Sequence, residues 1–312
     1  MKTASIIVSL YLTICPIKAM GQISPYIHQG GIGDTLPQQN DFMNPPLFDG
    51  VFPYRPVSDW VGEKLIFLPS PKDNLLDYFY EKQKEHNARI GQICTVKIVT
   101  FNENLRIPSL SKWEIIVEMD NTNELLTLAS YGGAFDGVAL KADIDSARAR
   151  WLGDTLWYRG CYLETMNSDG VNSLFQIKRF SPLVVKDIVC GYGPPTRFIL
   201  ETYDGKVGYR DIYVSASNWS SLSDEDISES IFVFAFKLAD PRKASKWSKS
   251  VWQAIEECEI FVGMTTTQVQ MSIGIAEDEN TTITSTGKSE QWVYPNNVYL
   301  YFEGGILKTI QK

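Results

Sequence analysis

Histidine is nearly missing from this chain: two occur in 312 residues, His28 and His86, and they stand far apart. The commonest general base and the commonest metal ligand are therefore removed from most catalytic designs. No stretch concentrates Lys and Arg, and 29 basic against 37 acidic residues give a formal charge of -8. That excludes the electrostatic footprint of a nucleic-acid binder and of a protein held on an anionic membrane surface. No C-x-x-C pair occurs, which removes zinc-ribbon and thioredoxin-type readings. Neither G-x-S-x-G nor H-E-x-x-H is present. Ser109-Leu110-Ser111-Lys112 and Ser285-Thr286-Gly287-Lys288 fit S-x-x-K but lack the partner motifs of penicillin-binding enzymes. Asn167-Ser168-Asp169-Gly170 is a fragment of a calcium loop. That loop would need an acid at Thr165 and a Glu at Gln176, so the stretch reads as a turn. No catalytic residue, cofactor site or metal site is expected.

Long apolar runs are missing too. Ile6–Ile14, the chain's apolar stretch, is well short of the ~20 residues that span a bilayer. It follows Lys2 and precedes the small-x-small site Ala19-Met20-Gly21, so residues 1–21 read as a secretory signal cut before Gln22. The mature chain is then expected in the periplasm or outside the cell, without a transmembrane segment. The rival is a lipoprotein cut at Cys15, where Ile14 stands in place of the small residue such a cut wants. Cys94, Cys161, Cys190 and Cys258 remain, an even number in an oxidising compartment. Disulfides and buried free thiols are both open. A chain of this length needs no staples, which favours thiols.

Residues 22–58 hold Pro25, Pro37, Pro45, Pro46, Pro53 and Pro56, which forbid helix and central strand. This is an extended leader. Phe42, Phe48, Phe52 and Tyr54 imply that its second half docks on something.

An internal repeat follows. Trp60-Val61-Gly62-Glu63-Lys64-Leu65 recurs as Trp151-Leu152-Gly153-Asp154-Thr155-Leu156, an offset of 91 (151 - 60). Val96-Lys97-Ile98-Val99 is echoed by Val185-Lys186-Asp187-Ile188-Val189, at 89 (185 - 96). Trp113–Asp120 is echoed by Arg197–Asp204, at 84 (197 - 113). A fourth block sets Asp145 and Arg148–Trp151 against Asp240, Arg242, Lys243 and Trp247. Residues 59–150 and 151–247 therefore read as two tandem copies of a small β unit with short strands and varied loops. The W-x-G-x-x-L opening resembles bacterial SH3-like barrels. The expected class is mainly β with an α+β part.

Residues 248–312 change character. Val251, Ile255 and Cys258 are spaced for an amphipathic helix, with Ser248 or Ser250 as cap. Thr265 and Gln268 form a capping box, Met264 and Val269 a hydrophobic staple, and Gly274 the stop. Strands over Gln291–Tyr294, Val298–Phe302 and Ile306–Ile310 make a three-stranded antiparallel meander, one face of which the two helices cover. On the middle strand Val298, Leu300 and Phe302 share one face, Tyr299 and Tyr301 the other. Trp292, Tyr294, Tyr299 and Tyr301 are the candidate partner-binding surface, because exposed Tyr and Trp favour partners. The alternative is that the second β unit covers them.

The segments G-M-T-x-x-Q-V, E-Q-W-V-Y and Y-L-Y-F-E-x-G-x-L-x-x-I-Q resemble the small α+β module of the outer-membrane assembly lipoprotein family (BamE/SmpA-like). Taken with D-P-R-K…W-S…W-x-A-I at Asp240–Ile255, the chain also resembles a group of exported proteins of gut Bacteroidetes. The family pattern usually carries L-G-x-P where this chain has Ile273-Gly274-Ile275-Ala276. The resemblance implies a non-enzymatic envelope protein that contacts other proteins, and supplies no catalytic residue. The expected function is thus an exported binding or scaffold protein of the cell envelope. The alternative is an envelope hydrolase acting on glycan or peptidoglycan through a carboxylate pair such as Asp187 and Glu201.

Overall fold

The computed structural model describes residues 51–68, 88–102, 113–130, 135, 137–166, 172–192, 194–218, 230–285 and 287–312. The expected signal and the first part of the leader lie outside them. The fold is mainly β, and every pairing between its strands is antiparallel.

The first sheet contains β1 (Lys64–Phe67), β2 (Ile93–Phe101), β3 (Trp113–Met119), β4 (Leu125–Ser130) and β5 (Val138–Leu140), in the order β4-β3-β2-β1-β5. Helix α1 (Lys141–Trp151) follows. The second sheet contains β6 (Thr155–Tyr158), β7 (Tyr162–Met166), β8 (Asn172–Gln176), β9 (Ser181–Cys190), β10 (Thr196–Glu201), β11 (Val207–Ile212) and, after the short helix α2 (Phe232–Ala235), β12 (Phe236–Lys237). Its order is β12-β6-β9-β10-β11-β7-β8. Without the β7–β8 hairpin, this is the first sheet's order read backwards, β11 for β4 and β12 for β5.

The match extends to single hydrogen bonds. Gly62 N–H donates to the Val96 carbonyl and Val96 N–H to the Glu63 carbonyl. In the second sheet Gly153 donates to Val185 and Val185 to Asp154. Both glycines have φ +87°, a left-handed conformation that costs glycine little. Each sheet has a bulge at the next residue, Lys97 and Lys186, because β2 and β9 shift register there against β3 and β10. Each bulged lysine pairs with a glutamate on the neighbouring strand, Lys97 with Glu118 at 2.6 Å and Lys186 with Glu201 at 3.0 Å. Trp60 and Trp151, two residues before each glycine, are fully enclosed.

Three expectations need correction. The third repeated block aligns at an offset of 83 rather than 84. The bulge fixes Val96 opposite Val117 and Val185 opposite Leu200 (200 - 117 = 83). Asp120 lies two residues after Glu118 and Asp204 three after Glu201, so a match made on the aspartates is one residue out of register. The fourth block keeps no register. Asp145 lies inside α1, whereas Asp240 caps helix α3 (Pro241–Ala244) by accepting from the Arg242 amide. The boundary expected at 150/151 also falls inside α1, whose Ile144, Ala147 and Trp151 belong to the second core with Leu156, Val185, Phe198 and Phe232. The first core holds Trp60, Leu65, Val96, Ile115 and Phe135.

The C-terminal unit contains α4 (Lys249–Glu256), α5 (Thr266–Ile273), β13 (Asp278–Thr284), β14 (Gly287–Tyr294), β15 (Val298–Glu303) and β16 (Ile306–Gln311). Ser248 caps α4. Thr265 and Gln268 make both bonds of the capping box, and Gly274 ends α5 at φ +88°. Met264 and Val269 are fully buried. The sheet is four-stranded, not three-stranded. β13 is the added edge, and its Asp278-Glu279-Asn280-Thr281-Thr282 run shows no apolar alternation. Trp252, Ile255 and Val269 from the helices close over Leu300, Phe302 and Leu307. This core also takes in Phe180 of the second sheet's loop, edge-on to Trp252 at 6.1 Å. The Arg179 amide donates to the Glu256 carbonyl and Arg159 Nη2 to the Gln270 carbonyl. Among the described residues, no helix is long and apolar enough to cross a membrane.

Candidate functional site

Strand pairing sorts the four candidate aromatics into two pairs. Trp292 lies opposite Leu300 and Tyr294 opposite Val298, so both point to the helix-covered face. Trp292 packs on Phe302 with centroids 4.5 Å apart, and both aromatics are buried. The Tyr294 hydroxyl donates to the Gly274 carbonyl at 2.9 Å. Burial, and then Glu279 nearby, push this phenol far above its ordinary range. Trp292 and Tyr294 are therefore core residues, which corrects their assignment to a partner surface.

Tyr299 and Tyr301 are half-buried on the opposite face. The Tyr301 hydroxyl accepts from Gln291 Nε2 at 3.1 Å and donates to Gln311 Oε1 at 2.9 Å. Register places Asn280, Gln291, Tyr301 and Thr309 in one row across the sheet, and Asp278, Val293, Tyr299 and Gln311 in the next. These rows carry no basic group and one acid. The result is an aromatic and amide face with its phenol locked by neighbours on both sides.

The two carboxylates of the hydrolase alternative are each paired with a cation. Asp187 lies opposite Ile199, and Glu201 is two residues further along that strand, so both project from one sheet face. Asp187 is paired with Arg148 and Glu201 with Lys186. Among the described residues, no group of acids, cysteines or histidines could hold a metal ion. Lys288 pairs with Glu290, while His28, His86, Ser109–Lys112 and Asn167–Gly170 lie outside the described residues. Cys94, Cys161, Cys190 and Cys258 are thiols and not disulfides. Burial, with Asp120 nearby, pushes the Cys94 thiol up to about 12, so it stays protonated and unreactive at neutral pH. Arg179 Nε donates to Cys258 Sγ at 3.4 Å.

A buried polar junction escaped the sequence reading. The Arg55 guanidinium donates to Asp143 of α1 and lies 3.5 Å from Glu63. The Ser215 hydroxyl donates to the other Asp143 oxygen, and the Arg55 amide donates to Ser217 Oγ. Asp143 is buried. Burial raises its pKa, outweighing the opposing pull of Ser215 and Arg55. Alongside, Phe52 donates its amide to the Val214 carbonyl and sets its ring 5.6 Å from Trp151. Trp60 Nε1 donates to the Arg55 carbonyl. Residues 51–60 thus strap the first sheet to the second, as the leader's aromatics implied for Phe52, although Tyr54 stays exposed. No motif marks Asp143, which sits among the other polar residues of a helix.

Comparison with family models finds no match to this chain, and neither does comparison with curated proteins or with solved structures.

Proposed function

We propose that this chain is an exported, non-enzymatic binding or scaffold protein of the cell envelope that acts through protein–protein contacts. The observation that carries the reading is the open face of the C-terminal sheet. Tyr301 is held between Gln291 and Gln311 there, beside Tyr299. A half-buried tyrosine with a fixed hydroxyl loses little freedom when a partner covers it, which is why such rings recur at interfaces. In this reading residues 248–312 are a BamE/SmpA-like α+β module, and residues 59–150 and 151–247 are two SH3-like copies that arose by duplication. The shared strand order, glycine bonds and bulged lysines support the duplication. Residues 1–21 are the signal that exports the chain. The ion pairs at Asp187 and Glu201 count against the hydrolase alternative, since each carboxylate already has a cation.

Two measurements test the reading. N-terminal sequencing of the exported protein should begin at Gln22; a retained Met1 or an acylated Cys15 overturns the secretory part. A photo-crosslinker placed at Tyr299 or Thr309 should give the same adduct in the envelope, and one at Tyr203, in a turn of the second sheet and 93% exposed, should not. Adducts that do not distinguish the two surfaces would remove the C-terminal face as the partner site.

A further inference from the structure

The two sheets differ sharply on one face. Leu65 and Leu156 are equivalent, so Ile66 matches Trp157 and Leu68 matches Arg159 (156 - 65 = 91). The edge strands β5 and β12 match in the same way. Ile66 faces Ala139 as Trp157 faces Lys237. The Leu68 amide donates to the Gly137 carbonyl as the Arg159 amide donates to the Ala235 carbonyl. Ile66, Leu68 and Ala139 therefore share a face, and so do Trp157, Arg159 and Lys237.

In the first sheet this face is apolar and covered. Leu68 and Ala139 are buried in the second core, and Ile66 packs against it. In the second sheet that core lies on the other side, where Tyr158 and Phe236 point. The place of Leu68 is taken by one cation, that of Ala139 by another, and that of Ile66 by an indole. The first sheet pairs the same strands without any of these groups, so strand pairing does not require them.

These side chains bring donors. Arg159 Nη2 donates to the Gln270 carbonyl near the end of α5 at 3.3 Å. Lys237 is exposed, and among the described residues it has neither an ion pair nor a hydrogen bond. Partial burial, and then Arg159 beside it, push its ammonium below the ordinary lysine range. The Trp157 indole N–H is buried with no acceptor among the described residues, and a buried N–H in that state costs free energy that an oxygen acceptor recovers. One acid lies close by. Glu279 of β13 acts on the Tyr294 phenol, as Arg159 does. The cation that acts on the Glu279 carboxyl is Lys288, so Glu279 leaves Lys237 without a counter-charge.

We propose that Trp157, Arg159 and Lys237 form a binding site for a phosphate or sulfate group. Lys237 supplies the uncompensated charge. Arg159 is a second cation, held in place by the Gln270 carbonyl. The Trp157 ring, directly opposite Lys237 and two residues from Arg159, borders both. A tetrahedral oxyanion suits this set because its oxygens accept from an ammonium and a guanidinium at once.

Titration of the mature chain with inorganic phosphate at low ionic strength, followed by NMR at the Trp157 indole N–H, tests this. Wild type should saturate with a Kd of about 1 mM. The Lys237 ammonium should lose its proton at higher pH with phosphate bound than without it, since a nearby anion favours the charged form. These two measurements need no variant. Lys237→Gln should weaken binding about tenfold or more, and Lys237→Arg should keep it. Lys206→Gln, in the turn between β10 and β11 where Lys206 pairs with Asp204, should leave it unchanged. Methyl phosphate binding as well as inorganic phosphate would assign the site to the end group of a larger molecule; inorganic phosphate binding alone would assign it to the free ion. An indole signal unmoved up to about 10 mM phosphate, undiminished binding by Lys237→Gln, or an equal response to chloride overturns the proposal.

Discussion

Gly62 and Gly153 adopt one conformation, φ +87° in each, and each donates its amide to the carbonyl just before a bulged lysine. The W-x-G motif therefore has a mechanical meaning in both sheets. The tryptophan enters the core, the glycine turns the chain back, and its amide clamps the entrance of the first strand onto the bulge of the second. The bulge exposes a lysine beside a glutamate of the next strand, and these half-exposed ion pairs contribute little on their own, about 0–1 kcal/mol. Each sheet repeats both features, and the backbone clamp rather than the ion pair holds the strands.

Gly62→Ala and Gly153→Ala should cost the same, about 1 kcal/mol each. An added Cβ meets nothing within 4 Å at either glycine, so the cost is backbone conformation alone. A left-handed alanine costs roughly 1–2 kcal/mol, partly offset by a stiffer unfolded chain. Urea melts of the two variants measure this. A several-fold difference between them would show that the two clamps are not alike.

Gly208→Ala should behave differently, because here the cost is space. With Leu163, Glu164 and Phe175 all 2.8 Å from the added carbon, the hairpin β7–β8 must move. Overpacking of this kind costs about 1–3 kcal/mol. Protease nicking between residues 166 and 172 should rise with it; unchanged stability and unchanged nicking would mean the hairpin does not cross at Gly208.

Leu300→Ala should cost about 2–5 kcal/mol, the range for an enclosed leucine. Tyr301→Ala removes two hydrogen bonds from a half-buried face and should cost about 1 kcal/mol or less, as should Tyr299→Ala. Thermal melts of the three variants decide. Equal losses in all three would place the tyrosines in a core, and with them would go the open face.

Period-two alternation on β15 was enough to separate Tyr299 and Tyr301 from Val298, Leu300 and Phe302. It could not place Trp292 and Tyr294, because their face depends on pairing register between strands, which no single strand encodes. The capping box was legible since Thr265 and Gln268 carry it within one turn. Strand β13 was not, because Asp278–Thr284 is an edge that pairs through its backbone and buries no alternating side chains. The offset of 84 instead of 83 has a similar origin. Asp120 and Asp204 stand at different distances from the paired Glu118 and Glu201, which only the strand register reveals. The Arg55–Asp143–Ser215 junction joins residues 88 and 72 positions apart, a contact that only the packed sheets create.

Asp143 gives that junction a pH signature. Its folded pKa lies above the ordinary carboxylate value, so between the two the folded chain binds more protons than the unfolded chain. Its contribution to stability is complete below the ordinary value of about 3.9 and is lost as the pH rises through the raised folded value. Around it stand the Arg55 guanidinium, the Ser215 hydroxyl and the Glu63 carboxylate, the last of which pushes in the same direction as burial. Asp143→Asn removes this titration while leaving Arg55 its ion pair with Glu63. Wild type should therefore gain stability relative to Asp143→Asn as the pH is lowered from about 7 toward about 4. Paired urea melts across that range measure the difference. A gain in the opposite direction would mean that Arg55 and Ser215 outweigh burial, and that the junction is held by the ionised carboxylate after all.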